Sequence, residues 1–142
     1  MYRISLLTCL VALVLVKPLH TQSIYPYPPP APVTVNFWYQ HFLHRNADLG
    51  AGGWAHGLAI GQPPELVLAT ILSGPEYFRN AGSTPAGFIN ALYIDLTGAA
   101  PQPQQMRYWL GRSQFTKRRD IAYDLLLLYP QAWHVPASYY SY

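Results

Sequence analysis

The sequence predicts an all-α fold, a compact bundle of short helices built from two degenerate units of about 54 residues. Three observations predict it. Apolar residues recur at the spacing of one helix face, the pattern returns further along the chain, and no segment alternates as a half-buried strand would. Composition agrees: 51% of residues are hydrophobic and only 11% charged, so a core is available and disorder throughout is excluded. A length of 142 residues suits one domain. The 14 prolines and 10 glycines predict short, frequently interrupted helices.

The chain opens as an export signal would. Arg3 and the amino terminus are cationic, and Ile4 to Val16 is apolar apart from Ser5, Thr8 and Cys9. That run is shorter than the roughly 20 residues that span a bilayer, and it lies within the roughly 7–15 of a secretory core. Thr21-Gln22-Ser23 supplies small residues for cleavage after Ser23, so residues 1–23 are expected to be a signal peptide. An uncleaved segment would instead tether the protein to a membrane. Cleavage removes Cys9, leaving no thiol and no disulfide, and it removes Arg3 and Lys17, taking the formal charge from +3 to about +1. No basic stripe remains for nucleic acid. The expected location is secreted or periplasmic.

Residues 24–33 contain Tyr25-Pro26-Tyr27-Pro28-Pro29-Pro30-Ala31-Pro32 and are expected to be an extended, stiff linker. The helical domain is expected over 34–133, in units 34–81 and 84–133, followed by a flexible Tyr-rich tail at 134–142. Val35, Trp38, Tyr39, Phe42 and Leu43 form one helix face. Ile89, Leu92, Tyr93 and Leu96 repeat it at an offset of 54, and Thr97 breaks the match. After a one-residue gap the offset becomes 55: Trp54 pairs with Trp109, Glu65 with Asp120, Ile71 and Leu72 with Leu126 and Leu127, Pro75 with Pro130 and Phe78 with Trp133. Each unit then reads helix, turn, short Trp-bearing helix, turn, helix and a Pro-led turn ending in an aromatic.

Local signals mark the boundaries. Thr84-Pro85 is a hydroxyl cap followed by proline at the first helical position. Thr116 is placed to cap the helix holding Ile121 to Leu128. Glu65 and Asp120 fall in first turns, where a carboxylate meets the positive helix end. Gly50 to Gly53 and Gly98 to Pro101 read as turns.

At these residues the chain resembles the bacterial family called domain of unknown function 4214. The first unit carries Tyr39-Gln40-His41-Phe42-Leu43-His44-Arg45-Asn46-Ala47-Asp48, then Gly53-Trp54, and closes with Leu72-Ser73-Gly74-Pro75-Glu76-Tyr77-Phe78. The second carries Phe88-Ile89-Asn90-Ala91-Leu92-Tyr93-Ile94-Asp95-Leu96, then Tyr108-Trp109. The resemblance covers about residues 35–133, and Pro75-Glu76-Tyr77-Phe78 is its most specific part. It implies a helical, exported bacterial protein, similar in pattern to phycobilisome linker domains, with no assigned catalytic residues. Ala99 and Gln102 replace the pattern's arginine and aspartate in the second unit, so an Arg–Asp pairing that fixes the turn is implied only for Arg45 and Asp48.

Candidate chemistry is sparse. His41 and His44 lie three apart on one helix, with Asp48 and His56 beyond it, which is a weak candidate set for zinc. It lacks a His-Glu-x-x-His signature. Asp48-Leu49-Gly50-Ala51-Gly52 has too few carboxylates for calcium. No Gly-x-Ser-x-Gly elbow accompanies Ser73, Ser83 or Ser113. Lys117-Arg118-Arg119 reads as a solvated helix start, with contact to an anionic lipid or polymer as the functional alternative. Trp54, Trp109, Pro75, Tyr77, Phe78, Arg45 and Asp48 are expected to be structural. The sequence thus leads to an exported, non-enzymatic binding or structural module without a cofactor, whose partner is a protein or an envelope polymer. A small metal-dependent or hydrolytic enzyme using the His/Asp set is the alternative.

Overall fold

The computed structural model describes residues 29–139, and these form an all-α bundle with no strand among them. Seven α-helices follow in order: α1 Ala31–Leu43, α2 Gly52–Ala59, α3 Pro64–Leu72, α4 Pro75–Asn80, α5 Pro85–Thr97, α6 Pro103–Ser113 and α7 Arg118–Leu128. Single 3-10 turns lie at Leu49–Ala51, Pro130–Ala132 and Ala137–Tyr139. The expected signal peptide falls outside the described residues, as do residues 24–28 of the expected linker.

Proline starts five of the helices. α1, α3, α4, α5 and α6 each carry one in the first two positions, where no intrahelical N–H is needed. This explains two departures from expectation, and a third has another cause. α1 begins at Ala31, inside the expected linker, because Pro32 fits a first turn. Pro75-Glu76-Tyr77-Phe78 opens a short helix rather than a turn. Thr116 does not cap α7. The helix starts at Arg118 with Lys117 at its N-cap, one residue too late for the Thr116 hydroxyl to play that role. Thr84 does cap α5, accepting from the Gly87 amide at 3.0 Å. Gly87 is required there, since a Cβ would lie 2.1 Å from the Ala81 carbonyl oxygen. Gly52 and Gly53 are helical, so the turn expected over Gly50 to Gly53 ends early.

The core runs through the whole body. Val35, Trp38, Tyr39 and Phe42 of α1 are buried, as are Ile89, Leu92, Tyr93 and Leu96 of α5. Val67, Leu68, Ile71 and Leu72 of α3 are buried, and so are Ile121, Ala122, Leu125 and Leu126 of α7. α3 packs on α7, α1 on α2, and α5 on α6. Leu127, expected to match Leu72, is exposed. Trp109 is buried whereas Trp54 is only half-buried against the core. The expected flexible tail is tied down at its start: Val135 is buried, and the Trp133 indole donates to the Leu126 carbonyl at 2.9 Å.

Candidate functional site

Most charged groups are engaged in holding the bundle together. Arg45 follows the His44 C-cap of α1, whose φ of 55° turns the chain sharply. Its guanidinium donates to Glu76 twice, Nε to Oε1 at 2.6 Å and Nη2 to Oε2 at 2.8 Å. Nη1 donates to Asp48 Oδ2 at 3.0 Å, and the group lies 4.8 Å from the Tyr39 ring centroid. The end of α1, the following loop and the start of α4 are thereby fixed together. The Arg45 hydrogen bond holds the Glu76 carboxyl below its usual range, against the opposing effect of burial. Glu76 had no partner assigned from sequence, because 31 residues separate it from Arg45.

A second polar contact is partly buried. Tyr77 donates its hydroxyl to Asp95 Oδ2 at 2.7 Å, joining α4 to α5. Burial, then the Asp95 charge and this bond, raise the Tyr77 phenol well above its ordinary value. Burial also raises the Asp95 carboxyl, opposed by the Tyr77 bond and by the His41 and His44 charges. A pH dependence follows with a definite sign. Above the ordinary tyrosine value of 10.0 the unfolded chain loses this proton while the folded chain keeps it. Stability should therefore fall above pH ~10 by up to about 1.4 kcal/mol per pH unit. Urea unfolding followed by tryptophan fluorescence checks this. Tyr77→Phe should flatten the alkaline decline, and an unchanged slope would assign it to other groups.

The candidate zinc residues do not form a site. His41 stacks on Phe37 with centroids 5.7 Å apart, His56 is exposed on α2, and Asp48 turns to Arg45. Among the described residues no three His, Cys, Asp or Glu side chains group so as to hold a metal.

Two clefts remain. One, of about 550 Å³, is lined by Trp38, Leu58, Pro64, Trp133 and Val135. The other, of about 480 Å³, is a recess where α3, α4, α5 and α7 meet. Its apolar wall is Phe78, Pro85, Phe88 and Ile121, and its polar rim is Ser73, Ser113, Thr116, Lys117, Arg118 and Arg119. The recess follows from how the helices end. Ser113 closes α6 by donating its hydroxyl to the Leu110 carbonyl at 2.8 Å. The chain then turns and α7 begins, with no side chain bonded to its first amides. The amides of Asp120 and Ile121 return to the Lys117 carbonyl, and those of Arg118 and Arg119 precede the first such bond.

Arg118 is held by neutral partners. Its guanidinium carbon lies 4.1 Å from the Phe78 centroid. Its Nε and Nη2 donate to the Ser73 carbonyl in two long contacts of 3.3 Å. Neither partner cancels its charge, and cation–π stacking keeps the guanidinium in place. Arg119 has Asp120 at 3.4 Å. Arg112, by contrast, is paired with Asp124 at 2.7 Å. The rim therefore offers cations, the Thr116 hydroxyl and a helix start, a combination suited to an anionic group. Sequence reading found the Lys117-Arg118-Arg119 run but missed Phe78 and Ser73, which no local spacing connects to it.

Comparison of the chain with protein-family models, curated proteins and solved structures returns no match. The resemblance read from the sequence gains no support from them. Its pattern residues lie at the Arg45–Glu76 junction and at Tyr77.

Proposed function

We propose that this chain is an exported, non-enzymatic binding module that holds an anionic polymer of the cell envelope in the recess at the start of α7. The observation that carries the reading is the Arg118 guanidinium, fixed over Phe78 without a carboxylate partner among the described residues. Flanking Lys117 and Arg119 extend the positive rim, and the apolar wall suits the uncharged parts of a repeating unit. The enzymatic alternative is weakened, because its only specific support was convergence of His41, His44, Asp48 and His56.

The body fits a duplicated unit of the kind the sequence resemblance implies. α1 and α5 have 13 residues each, and their starts at Ala31 and Pro85 are 54 apart. α3 and α7 start at Pro64 and Arg118, again 54 apart, and their buried positions match pair by pair: Val67 with Ile121, Leu68 with Ala122, Ile71 with Leu125, Leu72 with Leu126. On this reading the extra residue enters after α7 rather than before Trp109. The two units differ at the recess, where the first has no basic run at the start of α3.

Titration calorimetry of the full chain with long-chain polyphosphate tests the proposal. Binding should weaken steeply with added salt, as counterion release requires. Lys117→Glu with Arg118→Glu should lower affinity about tenfold or more, roughly 1.4 kcal/mol per decade, with the circular-dichroism spectrum unchanged. Binding that survives this double substitution would sink the reading.

A further inference from the structure

We propose that the α6–α7 end of the molecule docks on an anionic lipid bilayer, with Phe115 entering the interface and the recess receiving a headgroup phosphate. The inference rests on the anion-binding recess proposed above and adds a second source of the anion, a phosphate carried on a bilayer rather than on a polymer. Phe115 sits in the turn between α6 and α7, and its side chain is 90% exposed. The turn itself is ordered by the Phe115 amide, which donates to the Arg112 carbonyl at 3.0 Å. Phe115 is not among the residues lining the recess, so the ring lies outside the hold that the recess has on an anion. Beside lipid it has a role, since the ring leaves water for the boundary between headgroups and acyl chains.

Charge around the ring is complementary to such a surface. Lys117, Arg118 and Arg119 follow within four positions, and Asp120 is the only carboxylate in this stretch. Cations flanking an interfacial aromatic gain from the negative potential of an anionic leaflet within a Debye length of it. The Thr116 hydroxyl stands on the same rim, placed to donate to a phosphate oxygen, while that of Ser113 is spent on the Leu110 carbonyl. No described helix is long and apolar enough to cross a membrane, so the mode argued here is contact with the surface.

Amide hydrogen exchange of the full chain, read by mass spectrometry, locates any contact and so separates this turn from the apolar N-terminal segment. With phosphatidylglycerol vesicles, exchange over 113–119 should slow, and phosphatidylcholine vesicles should leave it unchanged. Phe115→Ser should weaken vesicle binding about tenfold while leaving polyphosphate binding as it was. Protection confined to other segments, or equal protection by both vesicle types, overturns the proposal. Loss of polyphosphate binding in Phe115→Ser also overturns it, by placing the ring inside the recess. Polyphosphate binding without vesicle protection leaves the module reading intact and removes only the bilayer. If neither probe binds, both fall.

Discussion

Leu68→Ala should destabilise the protein by about 2–5 kcal/mol, a large part of the ~5–15 kcal/mol that holds a typical domain folded. Leu68 is fully buried in the middle of α3, and α3 packs against α7. Truncation removes buried methyl groups and leaves a cavity that close-packed neighbours fill only partly. Leu125→Ala, in α7, should cost a similar amount, since Leu125 is equally buried. The two together decide how the bundle is organised. If the halves form one cooperative body, either substitution shifts a single unfolding transition seen by both fluorescence and far-ultraviolet circular dichroism. Because both side chains sit in one core cluster, their effects should not add fully. Two separate transitions, each answering to one substitution, would show halves that fold independently. The single-body account would then be abandoned.

Helix faces were legible in the sequence because burial imposes a 3.6-residue period, and α1 and α5 follow it through Val35, Trp38, Tyr39, Phe42 and their counterparts. The register of the second half was less legible. Trp54 and Trp109 are conspicuous, and pairing them requires a gap, yet Trp109 is buried and Trp54 only half-buried, so the two do not occupy like environments. The buried aliphatic positions of α3 and α7 fall at a common spacing of 54 residues. Burial is what tells Leu126 from Leu127: Leu126 is buried like Leu72, and Leu127 is exposed. The polar contacts were legible only where they are local. Arg45 and Asp48 are three residues apart, whereas the stronger two-pronged bond from Arg45 reaches Glu76. The recess belongs to the second kind. Lys117-Arg118-Arg119 reads as an ordinary solvated run until folding brings Phe78 beneath it and the Ser73 carbonyl 45 residues away in sequence against it.

Trp38→Ala carries the other large expected effect, about 3–5 kcal/mol of lost stability. Trp38 is 1% exposed, and its indole N–H donates to the Trp133 carbonyl at 2.9 Å. The two rings meet edge to face with centroids 6.3 Å apart. Trp133 in turn donates its own N–H to Leu126. The two tryptophans together therefore link α1, the segment after α7, and α7 itself, and losing Trp38 detaches the first of these links. Trp38→Phe separates the two contributions. Phenylalanine retains much of the buried ring but cannot donate, so it should cost about 1–3 kcal/mol for the carbonyl left without this partner. Hydrogen exchange gives the spatial readout. In either variant residues 134–139 should exchange faster, because Val135 stays buried only while Trp133 is held. Equal losses in the two variants would mean that the hydrogen bond outweighs the ring. Unchanged exchange at 134–139 would mean that the end of the described chain is anchored elsewhere, with the contact between the Tyr139 hydroxyl and the Gln40 side chain next to be tested.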